Sequence, residues 1–204
     1  MVDYASRMLT AIEEYSLQGT KHGKVALQSL RLRRSLATSL WGGHDGVLNQ
    51  LMGIGQKTTA TLRMHGLTTF EDVLASNDDA IEKAAQRSPP FGSNLRAVVS
   101  KILQSTLKLS AKLEYAAGST TPCSLICSIE RRDDIPRAHG QAPGSSSAPA
   151  VTYSLIAYTD KPGGCLFYKR DISSPKTISI DTPPKFGKVT AVLLASLVGL
   201  DGKC

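Results

Sequence analysis

No apolar run in this 204-residue sequence is long enough to span a bilayer. The longest nearly apolar stretch, VTAVLLASLVGL (189–200), is short and rich in β-branched residues, which predicts a buried strand. The opening MVDYASRMLTAIEEYS mixes charge through its apolar positions and has no continuous apolar centre, so it predicts a helix and not a signal peptide. Cysteine is scarce: Cys123, Cys127, Cys165 and Cys204 lack paired CxxC spacing and lie far from any His cluster. That argues against zinc and predicts reduced core thiols of a cytosolic or nuclear protein.

What is present fits an ordinary folded chain, with 41% apolar and 20% charged residues. The length allows one or two domains, each able to bury a core. Charge is the departure: a surplus of +7 points to an anionic partner. Residues 1–112 hold 14 Lys and Arg against 9 Asp and Glu, whereas the remainder holds 10 against 8, so that partner belongs to the first half.

The pattern changes near residue 107. Before it, apolar residues recur at helical spacing; after it come the alternating runs KLSAKLEYAA, CSLICSIE, VTYSLIAYT, CLFYKRDI, KTISID and KVTAVLLASLV. The expectation is an α+β protein of two domains, all-α then all-β, the β half having the strand count of a small immunoglobulin-like sandwich. The polar, Pro/Gly/Ser-rich stretch 133–150 predicts a mobile loop between two strands.

MGIGQKTTATL (52–62) bears on two phosphate-binding devices. A nucleotide loop, GxxxxGK[ST], needs glycine directly before the lysine, where Gln56 stands here, and it follows a buried strand. VLNQL instead reads as helix, and no downstream aspartate offers a magnesium ligand. The other device is a helix-hairpin-helix, in which Gly53 and Gly55 permit the turn and leave the amides of the next helix bare for phosphate, with Lys57 as a nearby cation. Its usual ligand is DNA backbone without base specificity. Thr59 occupies the position where a small residue normally lets the two helices approach. A hairpin kept only for packing is the alternative.

A second hairpin is expected in LTTFEDVLASNDDAIEKAAQRSPPFGSNLRAVVSKIL. It has a short helix entered at Thr68 or Thr69, another capped at Asn77, a stop at Pro89-Pro90 and a last long helix started at Gly92. Gly92, Asn94, Arg96 and Lys101 are candidate phosphate contacts, although PPFG reads equally as a rigid corner with Phe91 in the core. Over 24–41, Val25, Ala26, Leu30, Leu32, Leu36, Ala37, Leu40 and Trp41 form an apolar arc that contains Arg33. A buried guanidinium must be paired, must reach out to water, or must face a groove filled by an anion.

The order DYASRMLTAIEEY, LRRSLATSLW, VLNQLMGIGQKTTATLRMHGLTTFEDVL, RSPPFGSNLRAVV and a β region ending LASLVGLD resembles the Sec-63 domain at the C-terminal end of superfamily II helicases. The RSPPFG stretch is most similar to meiotic DNA helicases of the Mer-three type, which promote crossover formation. The resemblance covers the whole chain and is most specific over residues 41–103. It implies the end of a helical bundle at 1–45, the hairpin module at 46–106 and an immunoglobulin-like sandwich at 107–204 that lacks its last strand. It also implies a nuclear parent whose ATP- and magnesium-dependent motor precedes Met1, this chain having no motor motif, no cofactor and no activity alone. The implied nucleic-acid contacts are Gly53, Ile54, Gly55, Lys57, Thr58, Gly92, Asn94, Arg96 and Arg33, with Arg7 on a helix resembling the end of the strand-contacting ratchet helix. The implied partners are DNA and, through the β region, a MutL-type mismatch-repair protein, with no membrane. The alternative is the same unit serving as scaffold in a spliceosomal RNA helicase or a translocon-associated protein.

Overall fold

The computed structural model describes residues 2–40, 46–115, 122–132, 150–161, 164–182, 188–198, 200 and 202–203. It is an α+β fold. The helices are α1 (Val2–Glu14), continued by a π-helical turn at Tyr15–Gly19, α2 (Gly23–Thr38), α3 (Gln56–Met64), α4 (Phe70–Ala75), α5 (Asp78–Ala85) and α6 (Phe91–Gln104), with a 3-10 turn at Val47–Gln50. The strands are β1 (Leu107–Tyr115), β2 (Pro122–Arg131), β3 (Tyr153–Thr159), β4 (Cys165–Ile172), β5 (Lys176–Asp181), β6 (Val189–Ala195) and β7 (Gly202–Lys203). All six strands expected from alternation are present.

Helix starts follow the predicted caps. Thr69 opens α4 through a capping box, its hydroxyl accepting the Asp72 N–H while the Asp72 carboxylate accepts the N–H groups of Thr68 and Thr69. Asn77 opens α5 by accepting the N–H of Ala80.

The strands form two antiparallel sheets, ordered β1-β2-β5 and β4-β3-β6-β7. In the first, Leu109 pairs with Ile129 and Leu125 with Ile180, so alternate residues enter the core while Lys108 and Ser110 stay outside. The second sheet is covered on both faces. Leu155, Ala157 and Leu193 join the core shared with the first sheet, whereas Ile156, Tyr158 and Val192 pack against Ala26 and Leu27 of α2. A strand buried on both sides has no need of alternation, which accounts for the unbroken apolar run of β6.

Several expectations change. The buried face of α2 is Gly23, Ala26, Leu27, Ser29 and Leu30, while Val25 and Ala37 of the expected arc are exposed, because that face is set by contact with β3 and β6. The first helices thus lie on the sheet. VLNQL forms one 3-10 turn and not a helix. One apolar cluster crosses residue 106, joining Val99, Ile102 and Leu103 of α6 to Leu107, Leu125 and Leu155, so the change from helix to strand is not a break in the core. Gly202–Lys203 pairs with Val192 and Leu193 at the edge of the second sheet. Trp41, the 133–149 part of the expected loop, and the side chains of Cys123 and Cys204 lie outside the described residues. Cys127 is buried and Cys165 half-buried.

An ionic cluster fastens the first helices to β4. Glu13 is fully buried; its Oε1 accepts from the Tyr168 hydroxyl at 2.5 Å and from Arg170, and its Oε2 lies 3.2 Å from Arg33 Nη2. Arg170 Nε also donates to the Tyr168 oxygen. Burial, then the bond to Glu13, pushes the Tyr168 phenol up to about 12, against the pull of Arg170.

Glu13→Gln should destabilise by about 2–3 kcal/mol in urea unfolding, below the full penalty for breaking a buried pair because both guanidiniums reach solvent. Arg33→Met should cost less, since Glu13 keeps Arg170 and Tyr168. A phenol raised from 10 to about 12 favours the folded state fully below pH 10 and progressively less as pH climbs from 10 through 12. Thermal melts over that range should therefore fall more steeply for the wild type than for Tyr168→Phe.

Candidate nucleic-acid interface

Every non-terminal helix must find partners for its first amides, and the two hairpins meet that requirement in opposite ways. In the first, Leu51 ends the 3-10 turn, its carbonyl accepts the Ile54 N–H at 3.1 Å, and Gly53 sits at φ 83°. That left-handed conformation is the one place in the turn where glycine is conformationally required. Gly55 has an ordinary extended backbone, φ −95° and ψ 173°, so the expectation that both glycines shape the turn holds only for Gly53. A Cβ on either glycine would meet open space.

Gly55 caps α3 without a side chain, and the first intrahelical bond runs from the Thr59 N–H to the Gly55 carbonyl at 2.9 Å. The amides that open α3 therefore lack a helical partner and sit at the positive end of the helix. Gly53, Gly55, Gln56 and Lys57 are exposed there; Ile54 is buried as an anchor, and the buried Thr58 side chain leaves only its backbone for contact. No acidic residue occurs between Gly46 and Phe70.

Thr59 has its own use. Its hydroxyl donates to Asn49 Oδ1 at 2.5 Å, tying α3 to the preceding turn where a smaller residue would only allow close packing. Gln50 fixes the turn to the β region, its amide donating to the Val198 carbonyl at 3.1 Å and accepting the Val198 N–H at 2.8 Å.

In the second hairpin the anion is already supplied. The Gly92 N–H donates to the buried Glu82 carboxylate at 2.9 Å, so the start of α6 is capped from α5. A Cβ on Gly92 would lie 2.3 Å from the Asp78 carbonyl oxygen, making this a packing glycine. Arg96 pairs with Asp78 at 2.9 Å, Phe91 packs against the core with Arg87 over its ring, and Asn94 and Lys101 are exposed.

The remaining candidates are apart from these. Arg33 takes the paired option, with Glu13, and Arg7 is exposed on α1 beside a stripe of exposed Tyr4, Met8, Ile12 and Tyr15. Sequence reasoning missed Glu13, Gln50, Asn49 and Glu82. The Arg33 anomaly signalled that a buried partner was needed without saying where, and nothing local marks the others.

No family model matches the sequence. The chain is 25% identical over 203 residues to the ATP-dependent DNA helicase MER3 homolog of Oryza sativa subsp. japonica, covering 96% of this chain and 16% of that protein. It is 32% identical over 97 residues to the ATP-dependent DNA helicase homolog MER3 of Arabidopsis thaliana, covering 48% and 8%. With the Probable ATP-dependent DNA helicase HFM1 of Mus musculus it shares 26% over 169 residues, covering 83% and 11%. The chain is thus similar in sequence to proteins named as ATP-dependent DNA helicases. It spans between 8% and 16% of the length of these relatives. Among the described residues no helix is long and apolar enough to cross a membrane, and no group of three His, Cys, Asp or Glu side chains is placed to hold a metal ion.

The three glycines should respond differently to alanine. Gly92→Ala should cost at least about 1–3 kcal/mol by overpacking against fixed backbone, and Gly53→Ala about 1–2 kcal/mol through the left-handed φ. Gly55→Ala should be neutral or stabilise by up to about 1 kcal/mol. Urea unfolding of the three variants checks the order.

Proposed function

We propose that this chain is the non-catalytic C-terminal Sec-63 unit of an ATP-dependent DNA helicase that acts in meiotic crossover formation in the nucleus. Its own task in this reading is to hold nucleic-acid backbone through the helix-hairpin-helix of residues 46–64. One observation carries it: the uncapped start of α3, exposed beside Lys57 on an acid-free stretch, against the Glu82-capped start of α6. The two helix starts differ in whether the protein supplies the anion itself, and the one left without is the one a phosphate fits. The exposed, basic face is also what distinguishes DNA binding from the scaffold role in a spliceosomal or translocon-associated protein.

The printed names of the relatives support the helicase reading, and the share of their length covered leaves room in the parent for an ATP- and magnesium-dependent motor. The sheet orders β1-β2-β5 and β4-β3-β6-β7 support an immunoglobulin-like sandwich. We assign it to a protein partner of the MutL type, with 1–45, 46–106 and 107–204 as the three parts of the unit. Exposed Arg7 and Tyr4, with Tyr15 at the start of the π-helical turn that follows, suit a strand-facing role for α1.

Binding should be indifferent to base sequence and weaken steeply with salt. Lys57→Ala should lower the slope of log affinity against log salt by roughly 0.7 to 0.9. Gly55→Val should weaken binding further while leaving the fold intact, because its branched side chain enters the open space a phosphate needs. Fluorescence anisotropy of a labelled oligonucleotide at several salt concentrations measures both. An absence of salt-sensitive binding at low ionic strength would return the hairpin to a packing role.

A further inference from the structure

Where the cover of α2 over the second sheet runs out there is a pocket of about 330 Å³. Its position follows from the strand register. Tyr153 pairs with both Ile172 and Ala195, so β3 begins where β4 and β6 end. Ser154, opposite Leu194, continues on β3 the row that Ile156 and Tyr158 present to α2, because alternate residues of a strand share a face. At that end the helix offers Arg33, Arg34 and Ala37 in place of Ala26 and Leu27. Strand β4 enters the same pocket through a bulge: Ser154 of β3 faces two residues, Arg170 and Asp171, the second at φ 57°. Bulges commonly re-aim side chains beside binding sites.

The pocket is rich in donors. Arg33 and Arg170 are joined to the fully buried Glu13, yet their side chains stay 32% and 34% exposed and line the pocket. Arg34 is held in place by a bond from Nη1 to the Ala195 carbonyl at 3.1 Å. Ser196 Oγ accepts the Thr152 N–H at 3.1 Å, which leaves its hydroxyl hydrogen to donate, and Ser154 adds another hydroxyl. Three guanidiniums stand against two carboxylates, Glu13 and Asp171, so the cluster keeps an excess of one positive charge.

We propose that this pocket binds a phosphorylated serine or threonine of a protein partner. Arginine forks with hydroxyl donors around them match the acceptor oxygens of a phosphomonoester. Leu30, Ala37 and Leu194 give the aliphatic carbon that carries the phosphate an apolar wall. A single excess charge suits one isolated phosphate and not a polynucleotide, whose next phosphates would have to pass the exposed Asp171. Asp171 instead favours a phosphosite with Lys or Arg beside it. None of these residues belongs to the hairpin, so the site stands or falls separately from the reading above.

The test titrates the full chain with a short peptide, phosphoserine followed by lysine in an alanine background, and follows the backbone amides of Ser154 and Ser196 by NMR. The same peptide without its phosphate should bind at least about tenfold more weakly. Ala37→Glu, at an exposed helix position on the pocket wall, should weaken phosphopeptide binding about fivefold and leave the melting temperature unchanged. Asp171→Asn keeps a residue type that tolerates the left-handed backbone. It should raise affinity about twofold and remove the preference for lysine over glutamate beside the phosphoserine. Equal affinity for the two peptides, or shifts that leave out Ser154 and Ser196, overturns the site, as does binding that neither variant changes. Inorganic phosphate held as tightly as the peptide overturns the assignment to a protein partner. A thymidine oligonucleotide that displaces the peptide overturns it in favour of nucleic-acid backbone.

Discussion

Burial of the β4-β3-β6 sheet on both faces is the constraint from which the rest of the arrangement follows. Ile156, Tyr158 and Val192 point away from the sandwich core and need cover as much as Leu155 and Leu193 do on the other side. Helix α2 supplies it, coming so close at Gly23 that a Cβ there would lie 2.2 Å from that of Tyr158. Small residues at the contact, Gly23 and Ala26, allow the approach, and Leu27 fills the remaining space. Once α2 is seated, α1 pairs with it, and Glu13 comes to lie between Arg33 of α2 and Arg170 of β4. A buried carboxylate must keep charged or hydrogen-bonding partners, so the cluster fixes where the helices sit more than how tightly.

Much of the fold was legible because its signals are local. Period-two alternation located β1 to β6, and the Thr69 and Asn77 caps located α4 and α5, since hydroxyl and amide side chains act on amides two or three residues away. The errors came where a distant contact overrode the local pattern. The apolar arc of α2 counted Val25 and Ala37 as inward, whereas the face that matters is chosen by the sheet. VLNQL has helical apolar spacing, yet Gln50 is committed to Val198 far along the chain, and four residues then form a tighter turn. Arg33 is instructive because its cost could be read from the sequence but its partner could not.

The candidate site divides along the same line. GIGQK is a local motif, and the structure places its glycines and lysine on the surface. RSPPFG has equal local credentials, but Glu82 reaches Gly92 from the neighbouring helix and Arg96 is drawn to Asp78. A glycine before a helix is therefore ambiguous until both its amide and its missing Cβ are examined. At Gly92 the amide is bonded and the Cβ space is filled by backbone; at Gly55 the cap is bare and the space is open.

Rigidity decides what an open helix start is worth. An amide site on a loose loop would lose much of its binding free energy in ordering the loop. Here the ordering is done within the fold, by Ile54 buried beneath the turn, Thr59 bonded to Asn49, and Gln50 bonded twice to Val198. Thr59 is one of the three restraints: a small residue would let the elements approach, whereas a hydroxyl joins them by a directional bond. The same bond fixes the Asn49 side chain against the start of α3. The turn before α3 is thus anchored to the β region by Gln50.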